Sequence, residues 1–211
     1  MVNIPEQPKP AYAELTIPVG VFAKPPVQGK VKTRLIPDLG AEKATQVYRH
    51  CLQHALNVCH NSDLRHQLFL TEPSEDEIFQ GEDYLLQQPG DLGLRMLAAI
   101  ELMLADNKGA IIIGSDCLDL TRQHLHQAVK ALDSHELVLL PAEDGGYALI
   151  GCRLIGVELF NNIRWSSDLV LEQTLTNAKK MNYRTCLLET VRDIDTLHDL
   201  KHYPDLLALI G

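Results

Sequence analysis

The sequence has 211 residues, 45% of them hydrophobic and 22% charged, and a formal net charge of −9. That length suits one domain able to bury its own core. The acidic balance argues against binding a nucleic-acid backbone, which needs a broad basic surface. No run approaches the ~18 apolar residues of a membrane span.

Residues 1–13 carry Pro5, Pro8 and Pro10 among polar residues and read as a flexible tail, leaving 14–211 as a single domain. No basic start followed by an apolar segment is present, so no secretory signal is expected. Cys51, Cys59, Cys117, Cys152 and Cys186 are scattered, odd in number and without a CxxC pair, as for the reduced thiols of a cytoplasmic protein.

The first strand is expected over 15–23. Its firm part is 19–23, because Pro18 cannot donate to a ladder. KPPVQGKVKTRL follows directly, with Lys24, Lys30, Lys32 and Arg34, the hydroxyl of Thr33, and Gly29. Arginine offers a planar fork to phosphate oxygens and lysine a point charge. Gly29 would let the backbone approach a ligand closely. The same loop also reads as an ordinary solvated basic turn.

From Ala41 a helix is expected, since Ala44, Val47, Tyr48, Cys51, Ala55 and Val58 recur at helical spacing. His50 and His54, one turn apart beside Cys51, could ligate zinc. With no third ligand implied nearby, they read better as a polar helix flank. Residues 66–71 read as the second strand, Ser74 with Glu77 as a capping box for a short helix, and 84–87 as another strand.

QPGDLGLRM comes next, with Gly90 and Gly93 around Asp91, leading into an amphipathic helix that ends at Gly109. A glycine turn entering a helix can present free N–H groups to an anion. It also reads as a plain turn with Asp91 as N-cap. Arg95, in the first helical turn, could face a site or the solvent.

GAIIIGSDCLDL, residues 109–120, sets a β-branched apolar run against Gly114, Ser115 and Asp116. Such a run reads as a strand buried on both faces. The carboxyl edge of an open α/β sheet is where ligands bind, and a carboxylate there can hold a hard cation. Asp119 is either a second ligand or a helix cap. Thr121 is the expected N-cap of the next helix, which carries Leu125, Ala128, Val129 and Leu132.

A strand at 137–140 runs into PAEDGGYALIG. Glu143 and Asp144 precede Gly145 and Gly146, a pair suited to a turn, and 147–151 read as a strand. Trp165 stands in NNIRWSS, where it could stack on a ligand ring or wedge a helix onto the core. Ser166 or Ser167 is expected to cap a helix through about Asn177. A late strand at 185–189 precedes Asp193 and Asp195, and the remainder is helical around Pro204.

This alternation of strands and helices argues for a three-layer α/β/α, Rossmann-like fold with a mainly parallel sheet. GKVKTRL, QPGDLGLRM, GSDCLDL, PAEDGGYALIG and NIRWSS, in that order, carry a resemblance. The chain resembles the short bacterial proteins described as glycosyltransferase-A-like, or nucleotide-diphospho-sugar transferase-like. More distantly, its layout is similar to molybdenum-cofactor and phospholactate guanylyltransferases. Leu118 and Gln28 stand where proline is usual in the family.

The resemblance implies that Gly29, Lys30, Lys32 and Arg34 contact nucleotide phosphates. It implies that Asp116 binds a metal, Mg²⁺ or Mn²⁺, with Asp144 as second ligand or general base. Gly145, Gly146 and Tyr147 would border an acceptor pocket, with Trp165 a further candidate. Asp144 or Glu143 would activate the acceptor. The implied partners are a nucleotide or nucleotide-sugar and a small-molecule acceptor. The implied activity is metal-dependent transfer from a nucleotide-sugar. Nucleotidyl transfer from a triphosphate, or non-catalytic nucleotide sensing, fits the same residues.

Overall fold

The computed structural model describes residues 16–210, so the expected tail and the first residue of the expected 15–23 strand lie outside the described chain. Seven strands, β1 (Val19–Ala23), β2 (His66–Leu70), β3 (Tyr84–Leu86), β4 (Ala110–Ile113), β5 (Leu137–Pro141), β6 (Tyr147–Cys152) and β7 (Thr185–Leu187), form one sheet. Their order is β3-β2-β1-β4-β6-β5-β7. β6 alone runs against its neighbours, β4 and β5, and the other pairings are parallel.

The helices are α1 (Ile36–His60), α2 (Leu92–Leu104), α3 (Arg122–Ala131), α4 (Val170–Lys180), α5 (Leu197–Leu200) and α6 (Pro204–Ile210). Side-chain alternation along the strands sorts the core into two layers. Val19, Val21, Ile111, Ile113, Val138 and Leu140 pack with Leu52 and Leu56 of α1 and Leu125 and Ala128 of α3. Phe22, Ile112, Leu137, Leu139 and Ile150 point the other way, to Met96, Ile100 and Met103 of α2 and Ala178 of α4. The fold is therefore α/β with a helical layer on each face, and the central strands are apolar throughout because both faces are covered. A third apolar cluster docks Ile194, Leu200, Leu206 and Ile210 on Leu35, Ala44, Val47 and Cys51.

Several boundaries differ from the sequence reading. The first helix begins at Ile36, and its early turn is separated by Gly40, which takes φ 79°. The expected Ser74 helix is a 3-10 turn, Glu77–Phe79, capped by Asp76, whose carboxylate accepts from the Ile78 amide. Ser74 instead accepts from Asp76 N. α2 stops at Leu104, short of Gly109. Neither Ser166 nor Ser167 caps α4: Leu169 is its N-cap, and Ser167 accepts from the Leu169 amide. Asp91 and Thr121 cap α2 and α3 as expected, each accepting an amide three residues on.

The antiparallel β6 matters for position. Its first residue, Tyr147, pairs with Pro141 at the end of β5. The 142–146 loop thus shares one edge of the sheet with the segments leaving β1 and β4. No described helix is long and apolar enough to cross a membrane.

Candidate functional site

At that carboxyl edge lies a cleft of about 820 Å³. Lys24, Lys30, Lys32, Thr33, Arg34, Arg95, Asp116, Asp144, Gly146, Tyr147 and Trp165 all line it, and so do Asp193 and Asp195. Most of these segments, far apart in sequence, converge because each follows a strand, or in β6 precedes one, at the same edge; Trp165 is instead brought there by the segment entering α4.

Lys32 is the organiser of the basic loop. Its side chain is only 2% exposed, and its Nζ lies 2.5 Å from Asp116 Oδ1 and 3.4 Å from Asp195 Oδ1. It also donates to the Ile194 carbonyl. Burial pulls its ammonium pKa down, but the negative groups around it, Asp116 first and Asp195 among the others, together outweigh this and leave it above the ordinary lysine value. The residue holds φ 45°, a left-handed conformation that a lysine adopts only when its surroundings impose it. Lys32 therefore fixes Asp116 and the 194–195 segment from within, rather than standing free in solvent. The Ile194 amide closes the same joint by donating to the Asp116 carbonyl at 3.0 Å.

The other basic side chains are more open. Lys30 is 66% exposed, 3.8 Å from Glu72, and Arg34 is 59% exposed, 3.3 Å from Asp195. The Lys24 backbone is pinned by Tyr48, whose hydroxyl accepts from Lys24 N at 2.8 Å and donates to Lys24 O at 2.9 Å. Burial pushes the Tyr48 phenol up to about 12, so it remains a donor. Arg95 donates to Gln87 Oε1 at 3.1 Å, and Gln87 is anchored in turn on the Phe69 carbonyl.

The acidic side is built from Asp116, Asp144, Asp193 and Asp195. Asp144 Oδ1 accepts from Gly146 N at 2.8 Å. The Asp193 carboxyl is perturbed. Burial, then the Asp144 and Asp195 carboxylates, push it up to about 7. Close carboxylates without enough nearby positive charge resist a further negative charge.

Some expected site residues stand outside the cleft. Glu143 turns away and forms a two-pronged pair with Arg192, at 2.9 and 2.8 Å. Asp119 accepts from the Arg192 amide at 3.1 Å and from the Tyr203 hydroxyl at 2.9 Å, so it ties loops together and is not a cap. Gly29 (φ 82°) and Gly90 (φ 131°) serve turns. A Cβ on Gly93 would fall 2.6 Å from Trp165 Cζ2, so that glycine seats the indole. A Cβ on Gly145 would lie 2.2 Å from the Asp168 carbonyl oxygen, so the double-glycine loop rests directly on the segment entering α4. Trp165 packs on Phe160, centroids 6.1 Å apart, while also reaching the cleft. The zinc set considered on α1 does not form: His54 Nε2 is bonded to the Leu120 carbonyl, and Cys51 is fully buried.

Asp193 and Asp195 received no role from the sequence. Their signal was the one used for Asp116, an acidic pair just past a strand, but β7 is short and only one bridge, Ala142 with Val191, extends its course.

The bacterial family described as "Uncharacterized protein conserved in bacteria (DUF2064)" matches residues 45–167, more than half of the chain. The protein is a member of that family. The matched region holds Arg95, Asp116, Asp144 and Trp165, and excludes Lys32 and Asp193. A protein of Desulfovibrio desulfuricans G20, provisionally assigned as a nucleotide-diphospho-sugar transferase, is 29% identical; the match covers 87% of this chain and 84% of that one, with TM-score 0.80. The 4-diphosphocytidyl-2C-methyl-D-erythritol synthase of Anaerococcus prevotii shares the fold at 9% identity, TM-score 0.61, covering 92% and 96%. So does Rv0371c of Mycobacterium tuberculosis H37Rv, solved with manganese, at 17% identity and TM-score 0.52, covering 93% and 100%. No curated protein matches the chain in sequence.

Proposed function

We propose that the protein is a divalent-metal-dependent transferase that takes a nucleotide-diphospho-sugar and passes the sugar to a small acceptor. The observation carrying this reading is that one cleft is lined both by exposed cations, Lys30 and Arg34, and by the carboxylates of Asp116, Asp144 and Asp193. The D. desulfuricans relative, at 29% identity over most of both chains, supports the same class of donor.

The cleft's donor set fits a hard cation. Asp116 and Asp193 offer only oxygen, the preference of Mg²⁺ and Mn²⁺, which leaves Asp144 free to act as a base. Burial first, and then the Asp144 and Asp195 carboxylates, raise the Asp193 carboxyl, so a cation beside it would favour its ionised form. A cation held there supplies charge neutralisation on the phosphate oxygens. The chain's own residues do the rest. Lys30, Thr33 and Arg34 bind the diphosphate, and Lys32 keeps Asp116 in place. With Oδ1 engaged by Gly146, Asp144 would use Oδ2 as the general base. The acceptor oxygen bonds to the anomeric carbon, its proton passes to Asp144, and the carbon–oxygen bond to the diphosphate breaks. The nucleoside diphosphate leaves with the electron pair.

The density of cations in residues 30–34 favours one second reading, nucleotidyl transfer from a triphosphate. There the acceptor oxygen attacks the α-phosphorus and pyrophosphate leaves. A panel of nucleotide-sugars and nucleoside triphosphates, each with Mg²⁺ or Mn²⁺ and a mixed pool of small acceptors, separates the two. Nucleoside diphosphate as product supports sugar transfer, and pyrophosphate supports nucleotidyl transfer. Neither product with any donor would defeat the transferase reading.

A further inference from the structure

The amino end of the sheet, opposite the cleft, carries a second set of metal-ligand side chains. His60 is the last residue of α1, His66 the first of β2, and Glu82 lies just before β3. His60 Nε2 is 2.7 Å from Glu82 Oε1, and His66 Nε2 is 3.1 Å from Glu82 Oε2. One ligand atom from each of the three lies within 4.8 Å of the others. The two imidazoles meet edge to face, centroids 4.9 Å apart.

Each ligand is carried by a fixed backbone. His66 is held in register with Val19 of β1. His60 is set by the end of a long helix whose Asn61 amide still bonds to Asn57. Glu82 is delivered by a turn in which Gly81 takes φ 87° and the Glu82 amide bonds to Phe79 O at 3.0 Å. The Glu82 side chain is 11% exposed and that of His66 20%, whereas His60, at 46%, opens the set to solvent.

We propose that His60, His66 and Glu82 form a binding site for a borderline transition-metal ion of the Zn²⁺ class. Two imidazole nitrogens and one carboxylate suit Zn²⁺ and disfavour Mg²⁺, which prefers oxygen throughout. Water completes the coordination on the open His60 side. The ion would clamp the α1–β2 turn to the loop that enters edge strand β3. This site is independent of the nucleotide reading, because its ligands lie at the other end of the strands.

The test is a Zn²⁺ titration of the full-length, chelator-stripped protein in excess Mg²⁺, which occupies oxygen-only sites, with Co²⁺ absorption as a second readout. The expected result is one Zn²⁺ per chain and a visible Co²⁺ band. Both should be weakened more than about tenfold in His60→Gln, the exposed ligand whose loss is least disruptive to folding, and in Glu82→Gln. Asp116→Asn should retain both. Absence of Zn²⁺ binding by the wild type, or equal binding by wild type and His60→Gln, would overturn the proposal.

Discussion

Asp193→Asn should change how stability depends on pH. In the folded chain the Asp193 carboxyl is raised from 3.8 to about 7 by burial and by Asp144 and Asp195. A raised acid retains its proton in the native state after the unfolded chain has released it. Its contribution is therefore complete below pH ~4 and is lost as pH climbs through about 7. The full displacement corresponds to at most about 4 kcal/mol. Asp193 is only half-buried, so screening reduces this to about 1–2 kcal/mol. Asparagine cannot ionise. In chelator, the stability of Asp193→Asn relative to wild type should thus rise by about 1–2 kcal/mol between pH 4.5 and 8. Urea melts across that range measure it, and thermal melts should show the same trend at about 2–4 °C per kcal/mol. A difference that stays flat with pH, or that moves against the variant as pH rises, would refute the reasoning.

Three further outcomes follow from the packing and the site. Lys32→Met leaves Asp116, Asp195 and the Ile194 carbonyl without their shared partner. It should cost about 2–3 kcal/mol in urea unfolding, below the ~3–5 of a wholly buried pair because Asp116 stays half open to water. Gly93→Ala drives a methyl into Trp165 and the Phe160 Cβ, 2.9 Å away. A loss of about 1–3 kcal/mol is expected, together with a change in Trp165 fluorescence. Asp144→Asn should lower kcat by about 10²–10⁴ with little change in donor affinity, whereas a pure nucleotide sensor would show no turnover in either form.

Most of the fold was legible because the central strands are short apolar runs between turn residues, as at 110–113 and 137–140. The sheet edge was legible for the same reason, since charge follows directly on those runs at Lys24–Arg34, Asp116 and Asp144. Burial was not. Lys32 and Arg34 read alike in sequence, yet one is enclosed and the other open, a difference set by the left-handed turn at Lys32 and by Ile194, 162 residues away. Asp193 escaped because its importance comes from carboxylates close only in space. Glu143 and Asp144 are equivalent by composition, and Arg192, from beyond β7, draws only the first away. His60, His66 and Glu82 share no motif spacing, so only the sheet register and the turn at Gly81 bring them together.

Calorimetric titration of nucleoside diphosphates and triphosphates into the full-length protein, with Mn²⁺ and then with chelator, tests the central claim most directly. The account predicts binding that needs the metal, weakens in Asp116→Asn and weakens again in Arg34→Ala. Binding of equal strength in chelator and unchanged by either substitution, or no binding of any nucleotide with Mg²⁺ or Mn²⁺, would contradict it.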